Sequence, residues 1–500
     1  MSRDIRDRLD HPIVDADAHW LEPVPVFLEF LRDEGGPAAL EKFDAFYEVI
    51  DRAWYSATPD ERQARRLKRR AWWSDPWSTR DRATAMLPKL MHERLPELGI
   101  DFATVFPTLG LTCIHYPDAA LRQAACRAIN KMTAEIFSPV RDRLEPVACI
   151  PIVEPAEAVE ELRFAVGQLG YRSILFAGST VRNPKSGGGR PYVDTFGLDS
   201  AYDYDPFWAA CSELGVAVND HGGSSTWPDR QSPTNFVFNH VGHFAEGLHA
   251  SCRAIVLGGV TRRFPDLPFA FLEGGAGWAA ALLLNLTEHW EKRSVEMMQR
   301  YLRPRGLDLQ EFRKLWERYA HGRLRDGLDA RYGPMSPVSP FVAPDELSDR
   351  EVDDVDDFDA SGITSEDDIR AVFANRFFFG AEADDKLTAM AFRPELEVSL
   401  RPMFSSDIGH YDVLDMSEVL GQAWGLVEQG LLDEGQFREF TFANAVELQT
   451  RLNPGFFDGT AVEHAVGRHL EELGGGPPDR ETDQGLLPGR GDHDRSEARP

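Results

Sequence analysis

Short apolar runs alternate with helical stretches along most of this 500-residue chain. Eight runs, near residues 13, 101, 146, 172, 216, 269, 376 and 402, are rich in β-branched and aromatic residues and are predicted to be buried strands. Most of them are followed by apolar residues at helical spacing. The stretches 154–170 and 205–215 each end in a glycine, which is a natural helix C-cap. This alternation predicts an α/β fold, a (β/α)₈ TIM-like barrel whose parallel strands are covered by helices.

Three segments do not fit the plain repeat of a barrel spanning residues 11–465. Residues 22–99 form a long and largely helical insertion after strand 1, and this insertion contains Trp54, Trp72, Trp73 and Trp77. It is either a packed accessory subdomain or a cap that lends aromatic walls to an active site. Residues 345–368 carry twelve acidic side chains and are expected to form a solvated loop. After a helical C-terminal extension, the polar, Gly- and Pro-rich tail 474–500 is predicted to be disordered.

The charge balance excludes two broad classes of function. A formal charge of −28 opposes binding to nucleic acids and to anionic membranes, because both need clustered Lys and Arg. The longest apolar stretch, 277–286, is too short to span a bilayer, and the polar start predicts no signal peptide. Five scattered cysteines fit neither a disulfide framework nor a thiolate zinc site. We therefore expect a cytoplasmic protein that acts on a small-molecule substrate.

Polar residues follow several of the predicted strands at the point where each strand ends. In a (β/α)₈ barrel these ends form the active-site face. Asp17 and His19 lie two residues apart in the run "IVDADAHW" and therefore share one face of strand 1. His221 follows strand 5, Glu273 follows strand 6, and Asp407 follows strand 8, with His410 just after it. Two imidazoles and several carboxylates at one mouth are the ligands of a divalent metal ion.

Each of these residues also has a purely structural interpretation. Asp17 and His19 could form a hydrogen-bonded pair that holds a loop, His221 could be a turn residue, and Asp407 could cap a helix. Glu382 ends strand 7, but two more acids follow it, which is typical of a solvated loop. The pair His240 and His243 precedes strand 6, which favours a position on a helix surface or outside the metal shell. Asp15 is expected to have a structural role at the strand.

Five motifs, taken in order, resemble one enzyme family. They are "VDADAH", "NDHGG", "RRFPDLPFAFLEGGAGW", "SSDIGHYDV" and "FTFANAVELQTRLNPGFF". Together they resemble the amidohydrolase-related family typified by aminocarboxymuconate semialdehyde decarboxylase, which belongs to the metal-dependent amidohydrolase superfamily. The resemblance covers residues 11–465. It implies a barrel fold and a homodimer or higher oligomer.

The resemblance also implies roles for the strand-end residues. The family's strand 1 motif maps to Asp17 and His19, its strand 5 histidine to His221 and its strand 8 aspartate to Asp407. Asp407 would be both a metal ligand and a proton shuttle. Where the decarboxylases usually carry a histidine on strand 6, this chain has Glu273, which would be a further ligand or the general base. One divalent ion is implied, Zn²⁺ first with Mn²⁺ or Fe²⁺ as alternatives, and this acidic site is compatible with a second cation.

Together with these residues, the resemblance implies a metal-dependent hydrolase or decarboxylase that acts on a small aromatic or unsaturated organic acid. The ion would polarise a substrate oxygen or lower the pKa of a bound water. Two other hypotheses remain at this point. One is a dinuclear iron or manganese oxygenase-type member of the superfamily, and the other is a non-catalytic barrel subunit in an assembly.

Overall fold

The computed structural model describes residues 2–69, 78–184, 189–227, 231–301, 308–327 and 356–474. Trp72, Trp73 and Trp77, the first part of the acidic segment (345–355) and the tail 475–500 lie outside these ranges. The predictions made for them therefore stay predictions. The strands of the described part are β1 (Val14–Trp20), β2 (Phe102–Pro107), β3 (Leu144–Pro146), β4 (Ala148–Cys149), β5 (Ile174–Phe176), β6 (Thr180–Arg182), β7 (Tyr192–Asp194), β8 (Val218–Asp220), β9 (Phe269–Phe271), β10 (Phe377–Ala381) and β11 (Pro402–Phe404).

Nine of these strands form a closed parallel barrel with eight staves, because β3 and β4 are two parts of one stave. Pairing runs β1–β2–β3 and then β4–β5–β8–β9–β10–β11, always parallel. Backbone hydrogen bonds from Asp407 N to Asp17 O (3.0 Å) and from His19 N to Ile408 O (2.7 Å) join the last stave to the first. The predicted (β/α)₈ barrel is confirmed, and all eight predicted runs contain a stave. The remaining pair, β6 and β7, forms a small antiparallel hairpin outside the barrel.

Helices cover the barrel and build the insertion. Those up to β9 are Ser2–Arg6, Val24–Tyr47, Ala53–Ser56, Pro59–Ala64, Thr79–Met86, Pro88–Leu98, Thr108–Cys113, Ala119–Phe137, Pro155–Leu169, Asp205–Leu214, Phe236–His240, His243–Leu257 and Val260–Arg263. Those after β9 are Gly277–Arg293, Val295–Tyr301, Leu309–Tyr319, Glu366–Arg376, Val419–Glu428, Glu434–Arg438, Asn444–Thr450 and Glu463–Glu472. Two π-helical turns, Glu48–Arg52 and Glu439–Ala443, interrupt the series.

The local chemistry of the sequence explains these boundaries. Gly170 and Gly215 take left-handed backbone angles (φ 70° and 69°) directly after their helices, as the predicted C-caps require. Ser365 accepts a hydrogen bond from Asp368 N at the start of the helix Glu366–Arg376 and so caps its N-terminus. All residues of the barrel strands are buried, which matches their nearly continuous apolar sequence.

The described part of the insertion after β1 is mostly helical, and its Trp54 is buried. The Trp54 indole N–H donates to Pro233 O (3.0 Å), while the guanidinium groups of Arg62 and Arg69 lie 3.7 and 4.3 Å from the ring centroid. Arg69 N donates to Ser232 O (2.7 Å). The insertion therefore supports the loop that follows β8.

Residues 284–369 form a compact unit separate from the rest of the described chain. Within this unit, Trp290 packs edge-on against Phe358 (5.0 Å between ring centroids), and Arg293 pairs with Asp357 (2.7 Å). None of the described helices is long and apolar enough to cross a membrane. The five cysteines are buried and free, as their spacing predicts.

Candidate metal centre

Strand β1 delivers two of the expected residues to the C-terminal mouth of the barrel. Asp17 and His19 are fully buried, and the two closing hydrogen bonds with Asp407 and Ile408 hold their backbone. Gly409 follows with φ 112°, and a side chain at this position would collide with His19 O. A glycine there lets the chain after β11 approach β1 closely enough to bring Asp407 beside His19.

Strands β8 and β9 deliver the next two residues. His221 follows β8 directly, and its N–H donates to Phe176 O (3.0 Å). Gly222 comes next, where any side chain would collide with Ala177 O. Glu273 follows β9, and its side chain is 6% exposed. Each functional side chain is thus placed by the end of a strand that the barrel holds rigidly.

Two candidate residues have strained backbones. Glu273 and Asp407 have φ values of 61° and 54°, in the left-handed region that non-glycine residues rarely adopt. Such a conformation costs on the order of 1–2 kcal/mol for a residue with a Cβ atom. Strained residues concentrate at functional sites, where the fold holds them against their preference. Of the six non-glycine residues with positive φ in the described part of the chain, these two lie at the barrel mouth.

The ligand-type atoms of these five residues converge. Nε2 of His19 and Nε2 of His221 lie 3.3 Å apart, and Oδ1 of Asp17 lies 3.4 Å from each of them. Oε2 of Glu273 is 3.2 Å from Nε2 of His221, and Oδ1 of Asp407 is 3.3 Å from Nε2 of His19. Asp17, His19, His221 and Glu273 each offer one such atom within 4.8 Å of the others.

The arrangement fits a divalent metal ion better than a hydrogen-bonded cluster. Both oxygens of Asp17 and of Asp407, and Oε2 of Glu273, are buried without a hydrogen-bond partner among the described residues. A buried carboxylate in that state is costly unless a cation compensates it. Metal–ligand bonds of ~2.1 Å give tetrahedral edges of ~3.4 Å, close to the separations seen here. The donor set of imidazole nitrogen and carboxylate oxygen suits Zn²⁺, Mn²⁺ or Fe²⁺.

Aromatic packing holds the two imidazole rings. Phe106 lies 6.1 Å from the ring of His19 and 5.3 Å from that of His221, and Phe244 meets His221 edge-on at 5.2 Å. The ring of His410 stacks on His19 with 3.7 Å between centroids. Nδ1 of His19 and of His221 has no hydrogen-bond partner among the described residues. Ring packing therefore orients Nε2 of both histidines towards the shared centre.

Negative charge accumulates in the site. Burial raises the pKa of Glu273, and the charges of Asp17 and Asp412 add to this rise. Burial likewise raises the pKa of Asp407, together with the charges of Glu273 and Asp412. Burial opposes ionisation of Asp17 as well, but the adjacent imidazole of His221 and that of His19 hold its pKa well below the usual range. A bound cation would offset this excess of carboxylates.

A pocket of about 410 Å³ opens beside Glu273. Glu382, Asp385, His240, His243 and Phe244 are among the residues that line it. The sequence favoured a solvated loop for Glu382. Its side chain is exposed to the pocket, but desolvation by the protein, followed by the charges of nearby acids, raises its pKa to about 7. His240 and His243 line the pocket, which agrees with a position outside the metal shell.

The structure brings together all five residues predicted for the site and adds others. The pairing register of β1 shifts between Asp15 and Ala18, and Asp15 accepts hydrogen bonds from Ser406 N and Asp17 N instead of joining the converging residues. Asp412 and Thr108 were missed. Asp412 belongs to the same segment, "SSDIGHYD", but it lies beyond the strand end, and Thr108 begins the helix after β2. Thr108 Oγ1 lies 3.1 Å from Nε2 of His410, so a search for hydroxyl groups after each strand would have found it.

The fold is similar to those of solved amidohydrolases. An amidohydrolase, map2389c, from Mycobacterium avium subsp. paratuberculosis K-10 is 16% identical over 88% of this chain and 100% of its own, with a TM-score of 0.51. The 2,6-dihydroxybenzoate decarboxylase from Rhizobium is 16% identical over 88% and 99%, with a TM-score of 0.45. The 5-carboxyvanillate decarboxylase from Sphingomonas paucimobilis is 12% identical over 87% and 98%, with a TM-score of 0.48. At such identities the likeness concerns the fold alone.

The sequence itself carries the family assignment. A family model described as Amidohydrolase matches residues 14–307, which is more than half of the chain. The matched range starts at β1 and includes Asp17, His19, His221 and Glu273, four of the five residues that converge at the barrel mouth. The chain therefore belongs to this amidohydrolase family.

Proposed function

We propose that this chain is a metal-dependent enzyme that decarboxylates or hydrolyses a small aromatic or unsaturated organic acid. One observation carries the proposal. Buried carboxylate and imidazole atoms from four barrel strands meet with edges of 3.2–3.4 Å, and no hydrogen bond from the described residues satisfies the oxygens of Asp17 and Asp407 or Oε2 of Glu273. The proposed ligands of one divalent ion are Asp17, His19, His221 and Asp407, with Glu273 at the edge of the shell.

The pocket supports a small cyclic substrate. Its volume of about 410 Å³ lies in the range of small-molecule sites. Phe244 and the imidazoles of His240 and His243 offer flat walls on which a ring can pack. The pocket borders Glu273, so a bound substrate would have one end beside the metal shell. Solved decarboxylases of similar fold support an aromatic acid, since one was crystallised with 2,6-dihydroxybenzoate and another with manganese and 2-nitroresorcinol.

A divalent ion bound here would supply the positive charge that polarises a substrate oxygen. Asp17, His19 and His221 hold their ligand atoms on a rigid frame, so little reorganisation is needed on binding. Glu273 is the proposed proton-transferring group in either reaction. In decarboxylation the bond to the carboxylate carbon breaks, CO₂ leaves, and a carboxylic acid delivers a proton to the carbon that lost it. In hydrolysis the same carboxylate takes a proton from water and returns it to the leaving group.

The test uses metal-depleted protein reloaded with Mn²⁺ or Zn²⁺ and a panel of hydroxybenzoic acids with their esters and lactones. We expect CO₂ release from at least one acid, with one deuterium from D₂O at the carbon that carried the carboxylate. Ester or lactone cleavage without deuterium at carbon would assign hydrolysis instead. Oxygen consumption would indicate redox chemistry. No turnover in any metal-loaded sample would contradict the proposal.

The His221→Ala variant tests the proposed metal ligands directly, and His249→Ala is its matched control. Because Nε2 of His221 lies 3.4 Å from Asp17 and 3.2 Å from Glu273, its removal should cost most of the bound metal and all activity. His249→Ala, on the helix His243–Leu257, removes an imidazole that lies outside the cluster and should retain both. A His221→Ala protein that holds a full equivalent of tightly bound metal would show that the ligand assignment is wrong. The cytoplasmic location and the homodimer remain parts of this proposal.

A further inference from the structure

Three large apolar side chains are exposed beside the pocket, on the short helix Phe236–His240 and the residue that follows it. Val237, Phe238 and Val241 are 63%, 59% and 64% exposed. Residues three or four apart are neighbours on a helix surface, so these three side chains form one patch, the apolar lip. We infer that the apolar lip binds a hydrophobic part of the substrate, which is then an organic acid with an apolar substituent remote from its carboxylate. The inference rests on the proposed function and narrows it.

Hydrogen bonds on the same helical turn hold the apolar lip in its exposed position. Asn239 is buried, and its side-chain amide donates to Ser232 O (2.9 Å) and Arg69 O (3.1 Å). Its Oδ1 accepts from Ser232 N (2.6 Å). At the start of the helix, Oδ1 of Asn235 accepts from Phe238 N (2.9 Å). Because the turn is fixed by its buried amide, its apolar side chains face solvent as a built feature of the fold.

A run of contacting rings connects the apolar lip to the candidate metal centre. The rings of Phe236 and His240 stack with 5.1 Å between centroids, and His240 meets His243 at 5.3 Å. His243 meets Phe244 at 3.9 Å, and Phe244 meets His221 edge-on at 5.2 Å. A molecule whose reacting end lies at the metal centre can therefore contact flat apolar surface from His221 out to the lip.

The pocket itself extends to the apolar lip. Val241 lines the pocket of about 410 Å³ that borders Glu273, although most of its side chain is exposed. The same pocket is lined by Glu382, Asp384 and Asp385, so the field of these side chains repels an anion. An organic acid therefore needs affinity from another source, and apolar contact at the lip supplies it.

The size of the apolar lip fits part of a ligand and not a second copy of this chain. A stable protein interface takes about 20–30 residues from each partner. The lip offers three side chains, and exposed polar residues flank it, namely Thr234, Asn235 and Glu246. Small apolar surfaces with a polar border are typical of ligand-binding grooves. A short alkyl chain or a second ring on the substrate would cover this surface.

The experiment measures the binding of 2-hydroxybenzoic acids that carry a methyl, butyl or hexyl group para to the carboxylate. Each acid is titrated by calorimetry into the full-length protein loaded with Mn²⁺. An open lip gives each methylene about half of the burial that a core would give. We therefore expect the dissociation constant to fall about twofold per methylene, and about 30-fold from the methyl to the hexyl acid.

A double variant, Phe238→Ser with Val241→Ser, tests the lip itself. It should lose most of the dependence of the dissociation constant on chain length. Substitutions at exposed positions usually change stability little, so the variant is expected to fold. Val49→Ser is the matched control, because Val49 lies outside the lip and is 67% exposed. It should keep the chain-length dependence of the wild type.

The outcomes separate this inference from the proposed function. Equal dissociation constants for the three acids would overturn the inference, and turnover of the methyl acid in the same protein would leave the function intact. A double variant that keeps the wild-type dependence on chain length would also overturn it. So would a wild-type dimer in sedimentation that the double variant breaks, since the lip would then belong to a second copy. Binding that depends on chain length through the lip, without turnover of any acid, would support the lip and overturn the proposed reaction.

Discussion

The Glu273 carboxylate combines three unusual properties. It is nearly buried, its backbone is strained at φ 61°, and Oε2 lies 3.2 Å from Nε2 of His221. A glycine would fit this backbone without strain. The retention of a strained and desolvated acid at the mouth of the barrel indicates that the carboxylate is needed there for binding or chemistry.

Glu273→Gln keeps the shape of this side chain and removes its charge. We expect the catalytic rate to fall by about 100-fold or more, since an amide neither transfers a proton nor balances the metal charge. The metal content of the Glu273→Gln variant distinguishes the two proposed roles of Glu273. Loss of rate with all metal retained identifies a proton-transferring group, whereas loss of bound metal identifies a metal ligand.

Glu382→Gln removes a charge from the same pocket, but at a position that is exposed to it, and serves as the matched control. Its effect on rate should be much smaller than that of Glu273→Gln. A Glu273→Gln variant with unchanged rate and unchanged metal content would contradict both roles.

Glu22 provides a pH-dependent test of burial. Its carboxylate accepts from Leu109 N (2.8 Å) and Gly110 N (3.0 Å), and burial raises its pKa to about 7 despite these bonds. The unfolded chain ionises this group near its ordinary pKa of 4.5. The free energy of unfolding should therefore fall as the pH rises from 4.5 to about 7 and then level off. The size of this term is about 3 kcal/mol.

Glu22→Gln removes that titration. The variant loses one hydrogen-bond acceptor, which lowers its free energy of unfolding by the same amount at every pH. It also lacks the titrating carboxylate, so this group no longer makes the free energy of unfolding depend on pH. Urea unfolding at pH 5 and pH 8 should show the wild type losing about 3 kcal/mol more than Glu22→Gln over this range. A difference between the two proteins that does not change with pH would contradict the assigned burial effect.

The helical insertion acts through one loop. Trp54 holds Pro233, and Arg69 holds Ser232, so the segment that leads to His240 is fixed from outside the barrel. Trp54 thus packs against this loop, and both interpretations of the whole insertion stay predictions. The contributions of Trp72, Trp73 and Trp77 stay predictions.

Trp54→Ala should loosen this loop. Removal of a buried tryptophan costs about 3–5 kcal/mol, and here the loss falls on the contact between the insertion and residues 231–240. Hydrogen exchange followed by mass spectrometry should show faster exchange in 231–240. Trp424→Ala, which removes a tryptophan from the helix Val419–Glu428, is the control and should leave exchange in 231–240 unchanged. Equal exchange of this segment in both variants would show that Trp54 does not support it.

The elements themselves were largely predictable. Runs such as "RFFFGAE" and "PMFSSD" are apolar, short and bounded by polar residues, which is sufficient to identify buried strands. The end of each strand then located Asp17, His19, His221, Glu273 and Asp407. A search at strand ends did not find Asp412, because this residue lies beyond the end of β11 and the turn after that strand folds back towards the site. No pattern in one sequence reports such a return, which depends on Gly409 and on contact with β1.

The barrel as a whole should depend on metal. An ion that binds the folded chain and not the separated strands stabilises the fold by mass action, by about 2.7 kcal/mol at a free concentration 100 times the dissociation constant. Chelation should lower the melting temperature, and readdition of Mn²⁺ or Zn²⁺ should restore it. His221→Ala should melt at one temperature with or without metal. A wild-type melting temperature that is insensitive to chelation, in protein shown to have lost its metal, would contradict this expectation.

The hydrogen bonds that join the last barrel strand to the first also set the order in which the site is completed during synthesis. Asp17 and His19 leave the ribosome early, whereas Asp407 must follow about 130 residues after Glu273. At about 5–20 residues per second, this interval lasts on the order of ten seconds. Throughout it, the nascent chain holds an incomplete set of ligands, and the staves of Asp17 and Asp407 remain unjoined. If the proposed ion binds here, its loading should wait for the final stave, and a truncated chain that lacks β11 should bind it less tightly than the full chain.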